Sequence, residues 1–174
     1  MNIVIVNGSP RANSRTKKLN QIILKKHDLK YIDLSEMEIP FFDGTDEQKH
    51  NIHVVNWMDA IENAEAVIFT TPEYHGGMSG LLKNATDFLG SKHLKDKPVA
   101  IIATAGGGKG GINALNNLRI VLRSLYANVI AKQIVIDPND FISDESNLSN
   151  EIHLSIDEVI NQLKKQVNVE NMLI

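Results

Sequence analysis

The sequence predicts an α/β protein in which a five-stranded parallel sheet lies between two layers of helices. Short aliphatic runs alternate with longer amphipathic stretches, which is the pattern of repeated strand and helix units. Several of these runs are apolar at every position, as expected of strands that helices cover on both faces. The length of 174 residues and the hydrophobic content of 43% suit one domain, over residues 1–174, with a single sizeable core.

Each predicted strand is followed by a predicted helix. The strands are Asn2–Asn7, Leu29–Asp33, Ala66–Thr71, Val99–Thr104 and Val129–Asp137. The helices are Ser14–Lys26, Asp46–Asn63, Ser79–Leu89, Gly110–Leu125 and Leu148–Val167.

Two segments, Ser35–Thr45 and Pro138–Asn147, have no regular pattern and are predicted as irregular. The first contains Pro40-Phe41-Phe42-Asp43-Gly44, a turn-rich apolar stretch. A packed loop is its simpler interpretation, and part of a lid or a subunit contact is the alternative. The lone tryptophan, Trp57, lies in the second helix and is predicted in the core rather than in an interface.

The composition excludes several kinds of chemistry. No cysteine is present, which excludes disulfides, thiolate nucleophiles and cysteine-bound zinc or iron–sulfur clusters. Any redox role must therefore depend on a bound cofactor. The net charge of -3 does not indicate binding to a polyanion. The apolar run Ile3–Val6 is too short for a signal peptide or a membrane span, so we expect a cytoplasmic protein without a membrane partner.

The loop after the first strand has the features of a phosphate site. In an open parallel sheet, ligands bind at the carboxyl ends of the strands, so we expect function in the loops after strands one, three and four. The first loop leads into a helix start, where backbone amides and the hydroxyls of Ser9, Ser14 and Thr16 could hold a phosphate. It lacks the second glycine and the lysine of a triphosphate-binding P-loop. A mononucleotide phosphate is therefore the better prediction.

Basic residues are concentrated around this loop. The first 27 residues contain no acid, although the whole chain is slightly acidic. The basic residues in this stretch are Arg11, Arg15, Lys17, Lys18, Lys25 and Lys26. Cations at a helix start oppose the helix dipole, so the cluster is unfavourable unless an anion binds there or the side chains extend into water. We take it as support for a phosphate site.

The loop after the third strand, Thr70–Gly80, combines a proline, an aromatic residue and paired glycines. Such a rigid turn lets backbone amides and carbonyls approach a flat ring closely. This indicates a heteroaromatic ligand. Glu73 and His75 are acid–base candidates by residue type. A lone histidine in a loop is more often a hydrogen-bonding or surface residue, so proton transfer by His75 is the less favoured interpretation.

The loop after the fourth strand, Ala105–Asn113, formally contains G-x-G-x-x-G at residues 106, 108 and 111. In dinucleotide-binding folds that motif follows the first strand, and an acid lies about 20 residues further on. Here it follows the fourth strand, and Asp137 is 26 residues beyond Gly111. We therefore favour a glycine loop that packs against the same ring as the Tyr74 loop, with Lys109 near the polar edge of that ring.

Three motifs occur in the order, and at the strand ends, that this fold requires. They are Gly8-Ser9-Pro10-Arg11 with Ser14 and Thr16, Thr71-Pro72-Glu73-Tyr74 leading into Leu82-Lys83-Asn84-Ala85-Thr86-Asp87-Phe88-Leu89, and the stretch from Ala105 to Asn117. Together they resemble the NADPH-dependent FMN reductase family, and the third looks most like the bacterial azobenzene reductases. The resemblance covers nearly the whole chain and implies a flavodoxin-like three-layer sandwich.

The resemblance implies an FMN site that is built by these three loops. Residues of the first loop would hold the phosphate, namely Ser9, Arg11, Ser14, Arg15 and Thr16. Residues of the other two loops would line the ribityl chain and the isoalloxazine ring, namely Pro72, Glu73, Tyr74, His75, Gly76, Gly106, Gly107, Lys109 and Gly110. No catalytic side chain and no metal site are implied, because the chemistry takes place on flavin N5.

The resemblance also implies the reaction. FMN is the bound cofactor, and NADPH or NADH is the co-substrate that delivers a hydride to it. Two electrons then pass to a small-molecule acceptor, which is an azo compound, a quinone or free flavin, in a ping-pong cycle. Family members are typically dimers or tetramers, so we expect a homodimer or a homotetramer.

Three other functions are weighed against this one. A flavodoxin-type electron carrier would share the fold and the cofactor, but such carriers are usually strongly acidic and lack the Pro-Glu-Tyr loop. A nucleotide-binding sensor would need an output segment, and none is evident. Nucleic-acid binding is disfavoured, because the basic cluster is confined to one helix start and no aromatic platform accompanies it.

Overall fold

A computed structural model describes residues 1–108 and 110–172 and shows a parallel sheet with helices on both faces. The strands of this sheet are β1 (Ile3–Asn7), β2 (Lys30–Asp33), β3 (Ala66–Pro72), β4 (Pro98–Thr104), β5 (Asn128–Val129) and β6 (Ile134–Ile136). The α-helices are α1 (Arg15–Lys26), α2 (Ile52–Glu62), α3 (Gly80–Asp87), α4 (Ser91–Leu94), α5 (Ile112–Ser124) and α6 (Asn150–Met172). A separate antiparallel hairpin consists of β7 (Phe141–Ile142) and β8 (Asn147–Leu148).

The strand order is β2-β1-β3-β4-β5, and β6 also pairs with β4. Every neighbouring pair in this sheet is parallel. This is the order of flavodoxin-like folds, and it confirms the predicted fold class. Because the order reverses at β1 and β3, the loops after these strands diverge to opposite sides and leave a crevice between them at the carboxyl edge of the sheet.

Side chains of the sheet alternate between two apolar cores. Val4 and Val6 lie in the core that α2, α3 and α5 cover, whereas Ile3 and Ile5 lie in the core that α1 and α6 cover. Successive strand residues point to opposite faces, so a strand between two helix layers must be apolar at every position. This explains why uninterrupted aliphatic runs identified the strands.

Trp57 is fully buried where α2 packs against α3 and the sheet. Its Nε1 donates to the carbonyl of Ala85 at 2.8 Å. Its ring meets Phe69 edge to face, with the ring centroids 6.4 Å apart. The prediction that Trp57 lies in the core is confirmed.

The prediction of a single fifth strand at Val129–Asp137 is wrong. Two shorter strands, β5 and β6, pair with opposite ends of β4 instead. The guanidinium of Arg119 on α5 donates to the carbonyls of Val129 and Ile130 at 3.2 and 3.0 Å, and also to the side chain of Gln133. A side chain from a helix therefore satisfies the backbone where the strand is interrupted, and a period-two pattern cannot reveal this.

The prediction of one helix over Asp46–Asn63 is also wrong. Glu47–His50 forms a 3-10 turn, and the side chain of Asn51 then accepts hydrogen bonds from two amides in the first turn of α2. Asparagine is favoured at such an N-cap because its short side chain replaces the missing backbone acceptor. The helix therefore begins at Ile52.

The other predicted strands and helices differ from the structure only at their ends. The last helix is the longest, Asn150–Met172 rather than Leu148–Val167. Part of the segment predicted as irregular, Pro138–Asn147, forms a 3-10 turn and the β7–β8 hairpin. Within residues 1–108 and 110–172, no helix combines the length and the apolar composition that crossing a bilayer requires.

The segment Ser35–Thr45 is only partly a packed loop. The Asn84 side chain accepts from the backbone amide of Phe42 at 2.9 Å. It also donates to the carbonyl of Pro40, two positions before Phe42, at 2.8 Å. The ring of Phe42 packs edge-on against Phe88, with the centroids 5.1 Å apart. Phe41, in contrast, is 88% exposed. Phe42 is thus packed on one side but still 46% exposed, and the packed-loop interpretation fails for Phe41.

Replacing Trp57 with phenylalanine is expected to lower the free energy of unfolding by about 1–3 kcal/mol. The variant leaves the buried carbonyl of Ala85 without its donor and leaves a gap beside Phe69. Urea denaturation followed by circular dichroism measures the loss. Ile120→Ala is the control, because that side chain is 70% exposed. Equal losses in the two variants would contradict the contribution assigned to the buried indole.

Candidate functional site

A cleft lies at the carboxyl edge of the sheet, where the loops after β1, β3 and β4 meet. It is lined by Ser9, Arg11, Asn13, Ser14, Arg15, Thr16, Pro72, Glu73, Tyr74, Thr104, Ala105, Gly106 and Glu145. Its volume is about 210 Å³, which is below the roughly 300–1,000 Å³ of pockets that enclose a whole ligand. A cleft of this volume could enclose only one end of a nucleotide-sized ligand.

Most of the predicted site residues lie in this cleft. Those that line it are Ser9, Arg11, Ser14, Arg15, Thr16, Pro72, Glu73, Tyr74 and Gly106. Those that do not line it are His75, Gly76, Gly107 and Gly110. Lys109 lies outside the described residues. The structure thus brings the three loops together, and contact of each residue with a cofactor stays a prediction.

Four lining residues were not predicted. Asn13, Thr104 and Ala105 are immediate neighbours of predicted residues, so the motifs pointed to their loops without selecting them. Glu145 comes from the turn between β7 and β8, far along the chain from the three loops. No motif marked it, and a carboxylate was not expected beside a phosphate loop.

The loop after β1 is held close to β3. Gly8 donates its backbone N–H to the carbonyl of Thr70 at 2.8 Å. A Cβ at Gly8 would lie only 2.7 Å from that carbonyl oxygen, so glycine alone allows this approach. The side chain of Asn7 then fixes the turn, because its Oδ1 accepts from the amide of Ser9 and its Nδ2 donates to the carbonyl of Ser9.

Asp33, at the end of β2, connects this turn to α1. Its side chain is 3% exposed and forms an ion pair with Lys17 at 2.7 Å. It also accepts from Asn7 Nδ2 at 2.7 Å and from the hydroxyl of Ser35 at 2.6 Å. Burial opposes ionisation of this carboxyl, but the hydrogen bonds from Lys17, Ser35 and Asn7 outweigh it and lower the pKa to about 2. Asp33 is therefore a carboxylate at neutral pH.

The start of α1 opens into the cleft. Ser14 is the N-cap, and its hydroxyl accepts from the amide of Lys17 at 3.0 Å. The hydroxyls of Thr16 and Thr104 are 2.6 Å apart, which joins the helix to the end of β4. The positive end of the helix dipole and the first-turn residues that line the cleft suit a phosphate group. The residues present therefore fit the phosphate end of FMN.

The basic cluster of α1 is paired mainly with acids from elsewhere in the chain. The ion pairs are Lys17 with Asp33 and Glu36, Arg15 and Lys18 with Glu145, and Lys26 with Asp157. The sequence interpretation considered only a bound anion or solvent and missed these partners. Among the described residues, no ion pair joins Arg11 to an acid, although Arg11 lines the cleft. Arg11 is thus the cleft cation whose charge is left for a ligand.

The loop after β3 makes a tight turn that places His75 at its exposed tip. Tyr74 and Gly77 exchange backbone hydrogen bonds of 2.9 and 3.1 Å across it. The two central residues, His75 and Gly76, have φ values of 52° and 79°, which is the left-handed geometry of a type I′ turn. His75 is exposed at the tip, whereas Tyr74 lines the cleft. This position gives no support to His75 as a proton donor in the cleft.

Glu73 has a positioning role that its residue type did not indicate. Its Oε2 accepts from the amides of Gly111 and Ala114 at 2.8 and 3.0 Å, at the start of α5. Gly111 has a φ of 93°, and a Cβ there would lie 2.6 Å from Cγ1 of Val135. Glycine is therefore required at this N-cap, and Glu73 supplies the carboxylate that a glycine cap lacks. The contact joins the loop after β3 to the loop after β4.

The strand order, the crevice between the diverging loops and the anion-suited helix start define a flavodoxin-like protein that binds a nucleotide at its sheet edge. The model of one family, NADPH-dependent FMN reductase, matches residues 1–141. The chain belongs to this family. It is an FMN-dependent oxidoreductase with NADPH as its electron donor, where the sequence resemblance implied NADPH or NADH.

Two relatives extend this result over most of the chain. The NADPH azoreductase of Bacillus sp. (strain OY1-2) is 38% identical over 169 residues, which are 97% of this chain and 94% of that protein. The FMN-dependent NADPH-azoreductase of Staphylococcus aureus (strain USA300) is 35% identical over 153 residues, which are 82% of this chain and 80% of that protein. The resemblance to bacterial azo-compound reductases is confirmed at this level.

Solved structures share the fold. FerB, a flavoenzyme NAD(P)H:(acceptor) oxidoreductase from Paracoccus denitrificans, matches with a TM-score of 0.76 and 22% identity over 96% of this chain and 95% of that one. The general stress protein 14 of Treponema denticola, solved in complex with FMN, matches with a TM-score of 0.58 and 14% identity over 94% of this chain and 97% of that one. At these sequence identities, the comparison with solved structures shows a shared fold and nothing further.

Acid is expected to destabilise the fold through Asp33. Its pKa of about 2 lies below the ordinary value of 3.8, so Asp33 contributes stability above about pH 4 that is lost as the pH falls towards 2. Asp33→Asn does not titrate, so its free energy of unfolding should fall less over this range. Urea denaturation at several pH values measures both slopes. Asp28→Asn, at an exposed site outside this network, should behave like the unaltered protein. Equal slopes for all three would contradict the assignment.

Proposed function

We propose that the start of α1 holds the phosphate of FMN and that the chain passes electrons from NADPH to an azo compound, a quinone or free flavin. One observation carries the proposal: first-turn residues of a helix line a cleft at the strand-order reversal, with an open face beside it. That arrangement suits an anionic end and an accessible ring on one ligand. The names of the two relatives, both azoreductases, support an azo compound as one acceptor.

The binding residues divide between the two ends of the cofactor. The backbone amides at the start of α1, with the side chains of Ser9, Ser14 and Arg11, would hold the phosphate. Pro72 and Tyr74 line the part of the cleft that the loop after β3 builds, and would border the ribityl chain and the ring. When bound, FMN supplies the two-electron chemistry, and the residues of the chain bind and orient it.

The side chains of the cleft are placed to orient a ligand rather than to transfer protons to it. Glu73 is engaged with the amides of α5, and His75 is exposed and does not line the cleft. Within the described residues, no group of histidines and acids could hold a metal ion. A site of this kind discriminates weakly among flat oxidants, because the open face sets few contacts with them. This supports several acceptor classes rather than one.

We also propose a homodimer or a homotetramer. The cleft is large enough for only one end of a nucleotide, so the other end would lie at the protein surface. Contact with a second copy would shield a planar apolar ring from water. Size-exclusion chromatography with light scattering, at several protein concentrations, measures the assembly directly.

Arg11→Ala is expected to weaken FMN binding by about tenfold, because it removes a cation from the phosphate end. Riboflavin, which lacks the phosphate, should bind both proteins equally. Quenching of flavin fluorescence measures the dissociation constants of FMN and of riboflavin for the unaltered protein and for Arg11→Ala. Arg123→Ala, which removes an arginine outside the cleft, is the matched control. An unchanged FMN constant in Arg11→Ala would contradict the proposed phosphate site.

The electron transfer itself is tested with the holoprotein under anaerobic conditions. Addition of NADPH should bleach the visible flavin absorbance, and an azo dye should restore it. A protein that binds FMN but does not bleach with NADPH would be an electron carrier instead. A protein that bleaches but reduces quinones and not azo dyes would narrow the acceptor class.

A further inference from the structure

Glu145 is one of two acids that line the cleft, and the other, Glu73, is bonded to the amides at the start of α5. Glu145 lines the cleft together with the residues at the start of α1. Its carboxylate accepts from Arg15 Nε at 2.7 Å and forms a second ion pair with Lys18. These two partners lower the pKa of Glu145, so it is ionised at neutral pH. The positive charges of Arg15 and Lys18 are therefore partly compensated by Glu145.

The backbone at Glu145 adopts a conformation that glycine would favour. Ser146 donates its N–H to the carbonyl of Ser143 at 3.1 Å, which closes a four-residue turn between β7 and β8. The central residues, Asp144 and Glu145, have φ values of 55° and 62°. Turns of this type prefer glycine at the second central position, because side chains with a Cβ are disfavoured there. Ser143 also has a positive φ, of 52°, so this conformation belongs to the whole turn, and the ion pairs of Glu145 carry the inference.

We propose that Glu145 lowers the affinity of the phosphate site for every phosphate ligand, so that a ligand that makes no other contacts does not occupy the site. The inference rests on the proposed function, since it places the FMN phosphate at the start of α1. Inorganic phosphate gains only from the amides and cations of the cleft. FMN gains in addition from the residues that border its ribityl chain and ring. A carboxylate beside the cations therefore keeps inorganic phosphate from occupying the site, whereas FMN still binds.

The charge arrangement supports a modest and specific effect. Arg15 and Lys18 are about two-fifths exposed, and Glu145 is about one-third exposed, so solvent screens each pair partly. Arg11 and the helix start are not neutralised by Glu145, and they remain available to a phosphate. Removing the carboxylate should thus strengthen anion binding without creating a new site.

The test compares Glu145→Gln with the unaltered protein, using inorganic phosphate, FMN and riboflavin as probes. FMN binding is measured by fluorescence quenching at increasing phosphate concentrations, which gives the competition constant of phosphate. Glu145→Gln is expected to tighten both phosphate and FMN by about twofold to fivefold. The dissociation constant of riboflavin should be unchanged, because riboflavin has no phosphate group. Glu158→Gln breaks the ion pair with Lys132 outside the cleft and should change none of these constants.

Glu145→Gly separates the effect of the carboxylate on phosphate affinity from a fastening role of the ion pairs. Glycine relieves the turn, so this variant keeps the hairpin while it removes the carboxylate. It should tighten phosphate as Glu145→Gln does, with a thermal midpoint no lower than that of Glu145→Gln. A lower thermal midpoint in both variants, with an unchanged phosphate constant, would mean that Glu145 only fastens the hairpin to α1, and would overturn the proposal.

Two further outcomes are distinguishable. If FMN binding is normal and is weakened by Arg11→Ala, but neither Glu145 variant tightens phosphate, this inference fails and the proposed function stands. If phosphate does not compete with FMN in any of the proteins and Arg11→Ala has no effect, the phosphate end lies elsewhere. The proposed site and the role of Glu145 then fail together.

Discussion

The buried carboxylate of Asp33 is the interaction on which the geometry of the cleft depends. It joins the ends of two adjacent strands through Asn7 and joins both of them to the first turn of α1 through Lys17. Asn7 in turn holds both backbone groups of Ser9. A buried charge is tolerated only when it is fully bonded, and Asp33 obtains those bonds only when the loop and the helix are in place. The phosphate loop and the sheet edge are therefore stabilised as one unit.

Each loop of the cleft is fixed by a side chain that another element supplies. Thr104 bonds Thr16 between β4 and α1, and Glu73 caps α5 from the loop after β3. Such contacts between elements hold binding groups in place before a ligand arrives, which lowers the entropy lost on binding. They also explain why hydroxyl and acidic residues in the loops need not contact the cofactor. Glu73 was an acid–base candidate by type, and its bonds give it a positioning role.

Features that depend on local pattern could be predicted from the sequence. Ile3 and Val4 belong to one uninterrupted apolar run, and the rule that parallel strands place ligand sites at their carboxyl ends selected the three loops. Features that depend on contacts between distant residues could not. Arg119, on a neighbouring helix, bonds the backbone where the predicted fifth strand is interrupted. Glu145 forms an ion pair with Arg15, which lies 130 positions away in the chain. No periodicity within a window reports contacts of this kind.

The basic cluster of α1 shows the same limit in electrostatic terms. A run of cations in a sequence predicts an anion only if the fold brings no acids to it, and here Asp33, Glu36 and Glu145 fold back onto the helix. The cations left after this pairing are few, so the amides at the helix start must carry a larger share of any phosphate binding. The prediction of a phosphate site agrees with the cleft, although the charge pattern supported it for an incomplete reason. Phosphate binding at this site would then depend on the backbone geometry of the loop, which Gly8 and Asn7 set.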